Sequence, residues 1–299
     1  MTEDIGLDTK ILKGIPVSNH IRSNLSKDIK ILAQHGIIPG LAVVLVGDDP
    51  ASKVYVRNKE DVFKKYNCYS KTYNLPNETT ETELLKLISS LNTDSNFHGI
   101  LVQLPLPKQI DNQKILLQIS PDKDVDGFHP INLGNLLSGR PSFIPCTPNG
   151  VIQILDYYNI KVSGRHAVII GRSNIVGKPM FALLAQKFEV GNATVTICHT
   201  GTKDLKKITK QADIIIAAVG IPNLISADMI SKGVDIIDVG INRIYDKSKR
   251  GFSLVGDVDY NSVLGKANSI TPVPGGVGPM TISMLLSNTV KSAMRLIHS

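Results

Sequence analysis

Short apolar runs alternate with amphipathic segments along almost the whole chain, which is the pattern of an α/β fold. Leu41-Ala-Val-Val-Leu-Val46 is continuously apolar and stops at Gly47-Asp-Asp-Pro50, predicting a buried parallel strand and a turn. Ser52 can cap the helix that follows. Residues 81–91 have helical periodicity, with Thr80 or Thr82 as the cap, and Gly99-Ile-Leu-Val-Gln-Leu104 is a second strand-like run. At Cys146-Thr147-Pro148 the domains are expected to divide, Thr147 suiting an N-cap and Pro148 the first helical position. Strand-like runs then recur at 167–170, 193–197, 213–217 and 235–239, a spacing that describes a doubly wound nucleotide fold. The last helix starts near Thr281 and lines up Ile282, Leu285, Leu286, Val290, Ala293, Met294 and Ile297 on one face. It is expected to return to the first domain. The predicted organisation is two α/β domains: residues 1–148 completed by 280–299, and a Rossmann-type domain over 149–279, with the active site in the cleft between them.

Composition narrows the class. A chain of 299 residues favours two domains, and its core must be aliphatic, because Trp is absent and aromatics make up only 5%. No apolar run approaches the roughly 20 residues needed to cross a bilayer. The most apolar stretch, 212–225, is broken by Gly220 and Pro222, so no membrane partner is expected. The first ten residues carry Glu3, Asp4 and Asp8 and no apolar run, which argues against a targeting signal. Cys68, Cys146 and Cys198 have no C-x-x-C spacing; neither a disulfide framework nor a metal site is indicated, and the cytoplasm fits best. The net charge of +7 is spread without a Lys/Arg block long enough to read as a nucleic-acid tail; it would attract anionic small molecules or a polyanionic substrate tail, with a solubilising surface as the alternative.

Two candidate sites stand far apart in the chain. Tyr55-x-x-x-Lys59 on a helix puts a phenol and an ammonium one turn apart on one face. In short-chain dehydrogenases such a pair follows the dinucleotide fold; here it precedes it. Gly171-Arg172-Ser173, opening a helix at Gly177, presents backbone N–H groups suited to a pyrophosphate. The spacing departs from G-x-G-x-x-G, so a glycine serving only the strand-to-helix turn is the alternative. The following strand ends at Cys198-His199-Thr200-Gly201, with no carboxylate for a ribose 2′-hydroxyl. Arg172 and Thr200 could instead receive a 2′-phosphate, which favours NADP over NAD. His199 is read as structural.

Six blocks in order resemble the bifunctional methylenetetrahydrofolate dehydrogenase/methenyltetrahydrofolate cyclohydrolase family over nearly the whole chain. They are Ala51-Ser-Lys-Val-Tyr-Val-Arg-Asn-Lys59, Val102-Gln-Leu-Pro-Leu-Pro107 and Asp122-Lys-Asp-Val-Asp-Gly127, then Pro145-Cys-Thr-Pro148, Gly171-Arg-Ser-Asn-Ile-Val-Gly177 and Pro274-Gly-Gly-Val-Gly-Pro-Met-Thr281. The resemblance implies oxidation of 5,10-methylenetetrahydrofolate by NADP and hydrolysis of the methenyl product to 10-formyltetrahydrofolate. It makes 1–148 the folate-binding catalytic domain and implies a homodimer acting on folate, with or without a polyglutamate tail. By position, Tyr55, Lys59, Gln103 and Asp126 match the catalytic folate site, with Val56, Arg57, Asn58, Val102 and Leu104 in the same blocks. Asp126 would bind the pterin and Tyr55 would stack on or position the folate. Pro274, Gly275, Gly276, Val277 and Gly278 would bring backbone close to the substrate. Gly171, Arg172, Ser173, Thr200 and Ile241 match cofactor contacts. One departure from relatives is Thr200-Gly201, where many have Ser and a basic residue; the synthetase domain fused in some relatives is not expected here.

The hydrolytic step needs a titratable group, and the resemblance points to Lys59. To take a proton near neutral pH it must be partly neutral, through burial or a positive neighbour. Gln103 could orient it without adding a negative charge. Dehydrogenase-only relatives, other two-domain NAD(P) oxidoreductases and a non-enzymatic binding module remain as alternatives.

Overall fold

In the computed structural model the described residues are 8–245 and 251–298, so Glu3 and Asp4 of the N-terminal charge pattern lie outside them. The chain begins β1 (Lys10–Ile11), α1 (Gly14–Gln34), β2 (Gly40–Val46), α2 (Pro50–Lys65), β3 (Tyr69–Leu75) and α3 (Glu81–Thr93). It continues with β4 (Gly99–Val102), α4 (Asn112–Gln118), α5 (Pro130–Leu137), α6 (Cys146–Tyr157), β5 (His166–Ile170), α7 (Gly177–Ala185), β6 (Thr194–Cys198) and α8 (Leu205–Thr209). Last come β7 (Ile214–Ala217), β8 (Asp235–Asp238), β9 (Asn242–Tyr245), β10 (Phe252–Val255), α9 (Tyr260–Val263), β11 (Ser269–Ile270) and α10 (Gly278–His298). Two units result. One holds His20–Cys146 and residues from Ile282 on; the other holds the described residues up to Asn19 together with Thr147–Thr281.

The first unit is built on the parallel sheet β3-β2-β4. Its central strand β2 is buried throughout, which is why the sequence there is apolar without alternation. Leu41, Val43 and Leu45 pack with Val56 and Phe63 of α2 and with Leu285, Leu286 and Val290 of α10. Ala42, Val44 and Val46 face Leu84, Ile88 and Leu91 of α3 and Ile115 of α4. Thr80 caps α3 in a reciprocal pairing with Glu83. Ser52 does not cap α2. Pro50 takes the first helical position, so the cap moves to Asp49, whose carboxylate accepts from Ser52 N at 2.8 Å.

The second unit carries a parallel sheet ordered β1-β11-β8-β7-β5-β6 and a separate antiparallel hairpin, β9–β10. Val168, Ile170, Ile215, Ala217 and Ile236 form its core. Here the N-terminal segment differs from its predicted place within 1–148: β1 pairs with β11, adding an edge to this sheet. A two-residue strand has no period to read. Helix α6 also begins two residues early, at Cys146 instead of Pro148, so Thr147 lies in its first turn and its hydroxyl meets Thr281 Oγ1 at 3.1 Å. Among the described residues, no helix is long and apolar enough to cross a membrane.

Candidate active site

Helix α2 divides its two reactive side chains by depth. Tyr55 is 41% exposed, whereas Lys59, one turn on, is only 6% exposed. The Lys59 ammonium donates to Gln103 Oε1 at 2.9 Å. Gln103 is held at the end of β4, its backbone N–H continuing the ladder to Val44 O at 2.8 Å. Its side-chain NH2 donates to Leu104 O at 2.8 Å, which leaves the amide oxygen turned to Lys59. Burial pushes Lys59 below its ordinary value, opposed by the charges of Asp126 and Cys146. Because its hydrogen-bond partner is a neutral amide, desolvation is not cancelled by direct ion pairing. Burial likewise raises Asp126, and Lys59 pulls it back down.

Asp126 sits in a turn that the unit fixes firmly. The neighbouring Asp124 is 2% exposed and accepts from His129 N at 2.8 Å, Asn132 Nδ2 at 2.8 Å and Phe128 N at 3.2 Å. Gly127 closes the turn at φ +78°, close against the backbone of Ile144 and Pro145. The buried Cys146 thiol lies against the Asp126 carboxylate and, at 3.4 Å, against Val125 O. Burial pushes that thiol well above its ordinary value, so it remains protonated and donates.

The other residues of these blocks divide by helix phase. Arg57 and Asn58 are exposed on α2, while Val56 and Val102 are core residues packed on opposite faces of the sheet. Any ligand contact of those two valines must therefore come from the main chain. Leu104 is half-buried, and its carbonyl is already engaged by Gln103.

The second unit carries the predicted cofactor residues. Gly171 has φ +123°, and a Cβ there would collide with Ala218 O; one on Gly177 would collide with Gly171 O. The loop between β5 and α7 therefore packs backbone on backbone and sets N–H groups at a helix start, which fits a pyrophosphate. Ser173 Oγ accepts from Val176 N at 3.1 Å and Gly177 N at 3.3 Å, so its hydroxyl holds the loop's own shape. Ile170 and Cys198 are register partners, so Arg172 and Thr200 each follow two residues later at the same end of adjacent strands; both are exposed. His199 is half-buried, and its Nδ1 accepts from Gly201 N at 3.0 Å.

Ile241 is 48% exposed, next to a buried acidic frame. Asp238 accepts from Gly240 N at 2.9 Å, Asp257 N at 3.0 Å and Val258 N at 2.9 Å. Asp257 accepts from Val219 N at 2.7 Å, Gly220 N at 3.0 Å and Asn242 Nδ2 at 2.9 Å. The Pro274–Gly278 loop is anchored from the N-terminal segment, Gly14 N donating to Gly275 O at 2.9 Å. A Cβ on Gly14 would collide with Gly276 O.

Asp124 and Asp238 are both raised by burial to about 6, despite the N–H groups that favour their ionised forms. Each binds its proton more tightly folded than unfolded. Their contribution to stability is therefore greatest below the ordinary value of 3.8 and is lost as pH rises through about 6. Carboxyl-carbon NMR titration should place both midpoints near 6; midpoints near 3.8 would contradict the buried cages described above.

Sequence reasoning missed Cys146, Asp124, Asp238, Asp257 and Gly14 as parts of these sites. Asp124 had a local signal in the Asp-Val-Asp-Gly turn, and Cys146 one in the Pro145-Cys-Thr-Pro148 block. The others are brought in by chain segments far away in sequence.

Two family models cover the chain: the tetrahydrofolate dehydrogenase/cyclohydrolase catalytic domain over residues 12–126, and the NAD(P)-binding domain of the same family over 145–297. The chain is 53% identical over 290 residues to the bifunctional protein FolD of Chlorobium chlorochromatii, covering 96% of this chain and 98% of that one. It is similar to the crystal structure of the bifunctional FolD methylenetetrahydrofolate dehydrogenase/cyclohydrolase of Campylobacter jejuni, with TM-score 0.91 and 50% identity over 96% of this chain and 99% of that one. It is also similar to the Trypanosoma brucei methylenetetrahydrofolate dehydrogenase-cyclohydrolase complexed with NADP and an inhibitor, with TM-score 0.91 and 34% identity over 97% and 99% of the two chains. The chain belongs to the tetrahydrofolate dehydrogenase/cyclohydrolase family.

Proposed function

We propose that Lys59, oriented by Gln103, is the proton-transfer group of the hydrolytic step, and that Tyr55 and Asp126 hold the folate. The chain is an NADP-dependent methylenetetrahydrofolate dehydrogenase and methenyltetrahydrofolate cyclohydrolase. The observation that carries the assignment is the buried ammonium on a neutral amide oxygen at 2.9 Å. Burial favours the neutral amine, and Gln103 directs it without a countercharge that would hold the proton.

Water adds to the methenyl carbon, and neutral Lys59 takes a proton from it. A carbon–nitrogen bond then breaks with its electron pair on nitrogen, and the Lys59 ammonium is placed to return a proton there. Gln103 keeps the lysine nitrogen pointed at this centre through both transfers. Tyr55, exposed one turn earlier on the same helix face, offers a ring for the flat pterin system and the aryl ring beyond it. Asp126, a carboxylate raised by burial, is suited to the donor edge of the pterin. Bound NADP supplies the hydride acceptor for the oxidative step. That step needs no proton moved with the migrating hydrogen, only alignment of the reacting carbons.

In the nucleotide unit, Gly171, Ser173 and Gly177 would shape the pyrophosphate cradle. Arg172 and Thr200 would meet the 2′-phosphate, and Ile241 would pack on the cofactor. The 274–278 loop would approach the folate through its backbone. The unit His20–Cys146, completed by the last helix, would serve as the folate-binding catalytic domain. A homodimer in the cytoplasm, using polyglutamylated folate, completes the reading. The net charge of +7 supports the anionic tail, and three buried thiols suit a reducing compartment. Light scattering would report the dimer directly.

The test is methenyl formation from methylenetetrahydrofolate followed by absorbance with NADP and NAD in parallel, with decay of added methenyl followed in the same preparations. Both reactions should proceed, the first faster with NADP. Oxidation without decay would contradict the hydrolytic assignment. Arg172→Gln should raise the KM for NADP by about tenfold or more while leaving that for NAD nearly unchanged, from loss of a charge-assisted pair. Equal changes with both nucleotides would remove Arg172 from the 2′-phosphate site.

A further inference from the structure

Helix α10 contributes one buried polar side chain to the ground beneath Asp126. Asn288 is 4% exposed and lies on the same helical stripe as Leu285, which is otherwise committed to the aliphatic core. Its Nδ2 donates to Val125 O at 2.7 Å and to Ile144 O at 3.0 Å, and lies 3.8 Å from Cys146 Sγ. Val125 O is the carbonyl of the peptide bond that leads into Asp126. Ile144 O belongs to the irregular segment before α6, against which Gly127 closes the turn. One amide therefore ties together the residue before Asp126, the segment behind Gly127 and the thiol that touches the Asp126 carboxylate.

We infer that Asn288 is a positioning residue for the folate site, fixing the Asp126 turn and the Cys146 thiol relative to Lys59. This rests on the reading of Lys59 and Asp126 given above. The chemistry of the contact supports it. Two carbonyls converge on one site in the core, and only a side chain with two N–H groups and no charge can satisfy both. A hydrophobic residue of similar size would leave Ile144 O short of a donor and Val125 O with only the longer Cys146 thiol contact, and the cheapest relief is movement of the turn that carries Asp126. Asp126 is a countercharge to Lys59, so displacement of the turn should change how readily Lys59 loses its proton as well as how well folate is held.

The experiment combines Asn288→Ala and the isosteric Asn288→Asp, each alone and with Asp126→Asn, in the full-length chain. Read-outs are the KM for methylenetetrahydrofolate, the KM for NADP and the pH profile of methenyl hydrolysis. Each folded Asn288 variant should raise the folate KM by about tenfold, the scale of a lost buried hydrogen bond, with the NADP KM within about twofold. For Asn288→Ala the acidic limb of the hydrolysis profile should move to lower pH, the direction expected when Asp126 no longer supports the Lys59 ammonium; Asn288→Asp brings a carboxylate of its own and is read by the folate KM alone. The effects should be non-additive with Asp126→Asn, since one acts through the other. A folded variant with wild-type folate KM and pH profile, or additive effects in the double variants, would overturn the role of Asn288. If Asp126→Asn alone changes neither quantity, the failure lies instead in the assignment of Asp126.

Discussion

Replacing Lys59 with Met should reduce methenyl hydrolysis by about 100-fold to 10,000-fold, the range typical for loss of a general acid–base group. Methylene oxidation should stay measurable in the same variant, because hydride transfer makes no demand on a proton carrier. The substitution suits the site. Lys59 is buried on the face of α2 next to the sheet, and Met retains an unbranched chain of similar length while removing the nitrogen that meets Gln103. Removing a buried ammonium also ends its desolvation cost, so the variant is expected to fold. The KM for methylenetetrahydrofolate should rise as well, through the altered environment of Asp126. Parallel assays of oxidation and of decay of added methenyl measure both effects. Equal loss of the two activities would make Lys59 a binding residue rather than a proton carrier.

The second large effect is expected from Gly171→Ala. At φ +123° an alanine is strained, and its Cβ would run into Ala218 O across the loop. Ala218 cannot retreat easily, because its N–H is hydrogen-bonded to Ile170 O at 2.8 Å. Relief must come from the loop itself, moving Arg172 and Ser173 and with them the N–H groups at the start of α7. Strain and overpacking together should lower stability by about 3 kcal/mol. The KM for NADP should increase by about tenfold or more, because those N–H groups are proposed to hold the pyrophosphate and such contacts tolerate only about 0.5 Å of displacement. Thermal unfolding and NADP titration check this together. An alanine variant with wild-type values in both would show that the loop can yield.

The sequence is most informative where structure follows a local rule. Leu41–Val46 is apolar at every position because β2 is covered on both faces, and the capping residues Thr80 and Glu83 lie within one helical turn. Strand β3 escaped notice for the opposite reason. Tyr69-Ser-Lys-Thr-Tyr-Asn-Leu75 is an edge strand with exposed and half-buried positions, so polar residues interrupt the run that marks a buried strand. Strand β1 is two residues long and exists only through its pairing with β11, more than two hundred residues away. At α2 the expected cap was Ser52; Pro50 occupies the first helical position, so the cap falls on Asp49.

The same distinction holds at the site. Lys59 and Gln103 come from separate sequence blocks, and the fold brings them to 2.9 Å because α2 and β4 flank the same central strand. Asn288 left one trace that could have been followed: a polar residue on the apolar stripe of the last helix, three positions after Leu285. What it holds could not be read locally, since Val125 and Ile144 lie far from it in sequence. Cys146 was visible as an unpaired thiol in the Pro145-Cys-Thr-Pro148 block. Its place beside Asp126 is a property of the packed unit.

The most direct measurement is the pH dependence of kcat/KM for methenyl hydrolysis by the wild-type chain and by Asp126→Asn, from mildly acidic to alkaline pH. With Lys59 as proton acceptor, the wild-type profile should rise with pH to a plateau, with a midpoint below the ordinary lysine value of 10.5. Asp126→Asn should move that midpoint lower still, because burial would then act on Lys59 without the opposing carboxylate. A flat profile, or a midpoint that ignores Asp126, would contradict the account.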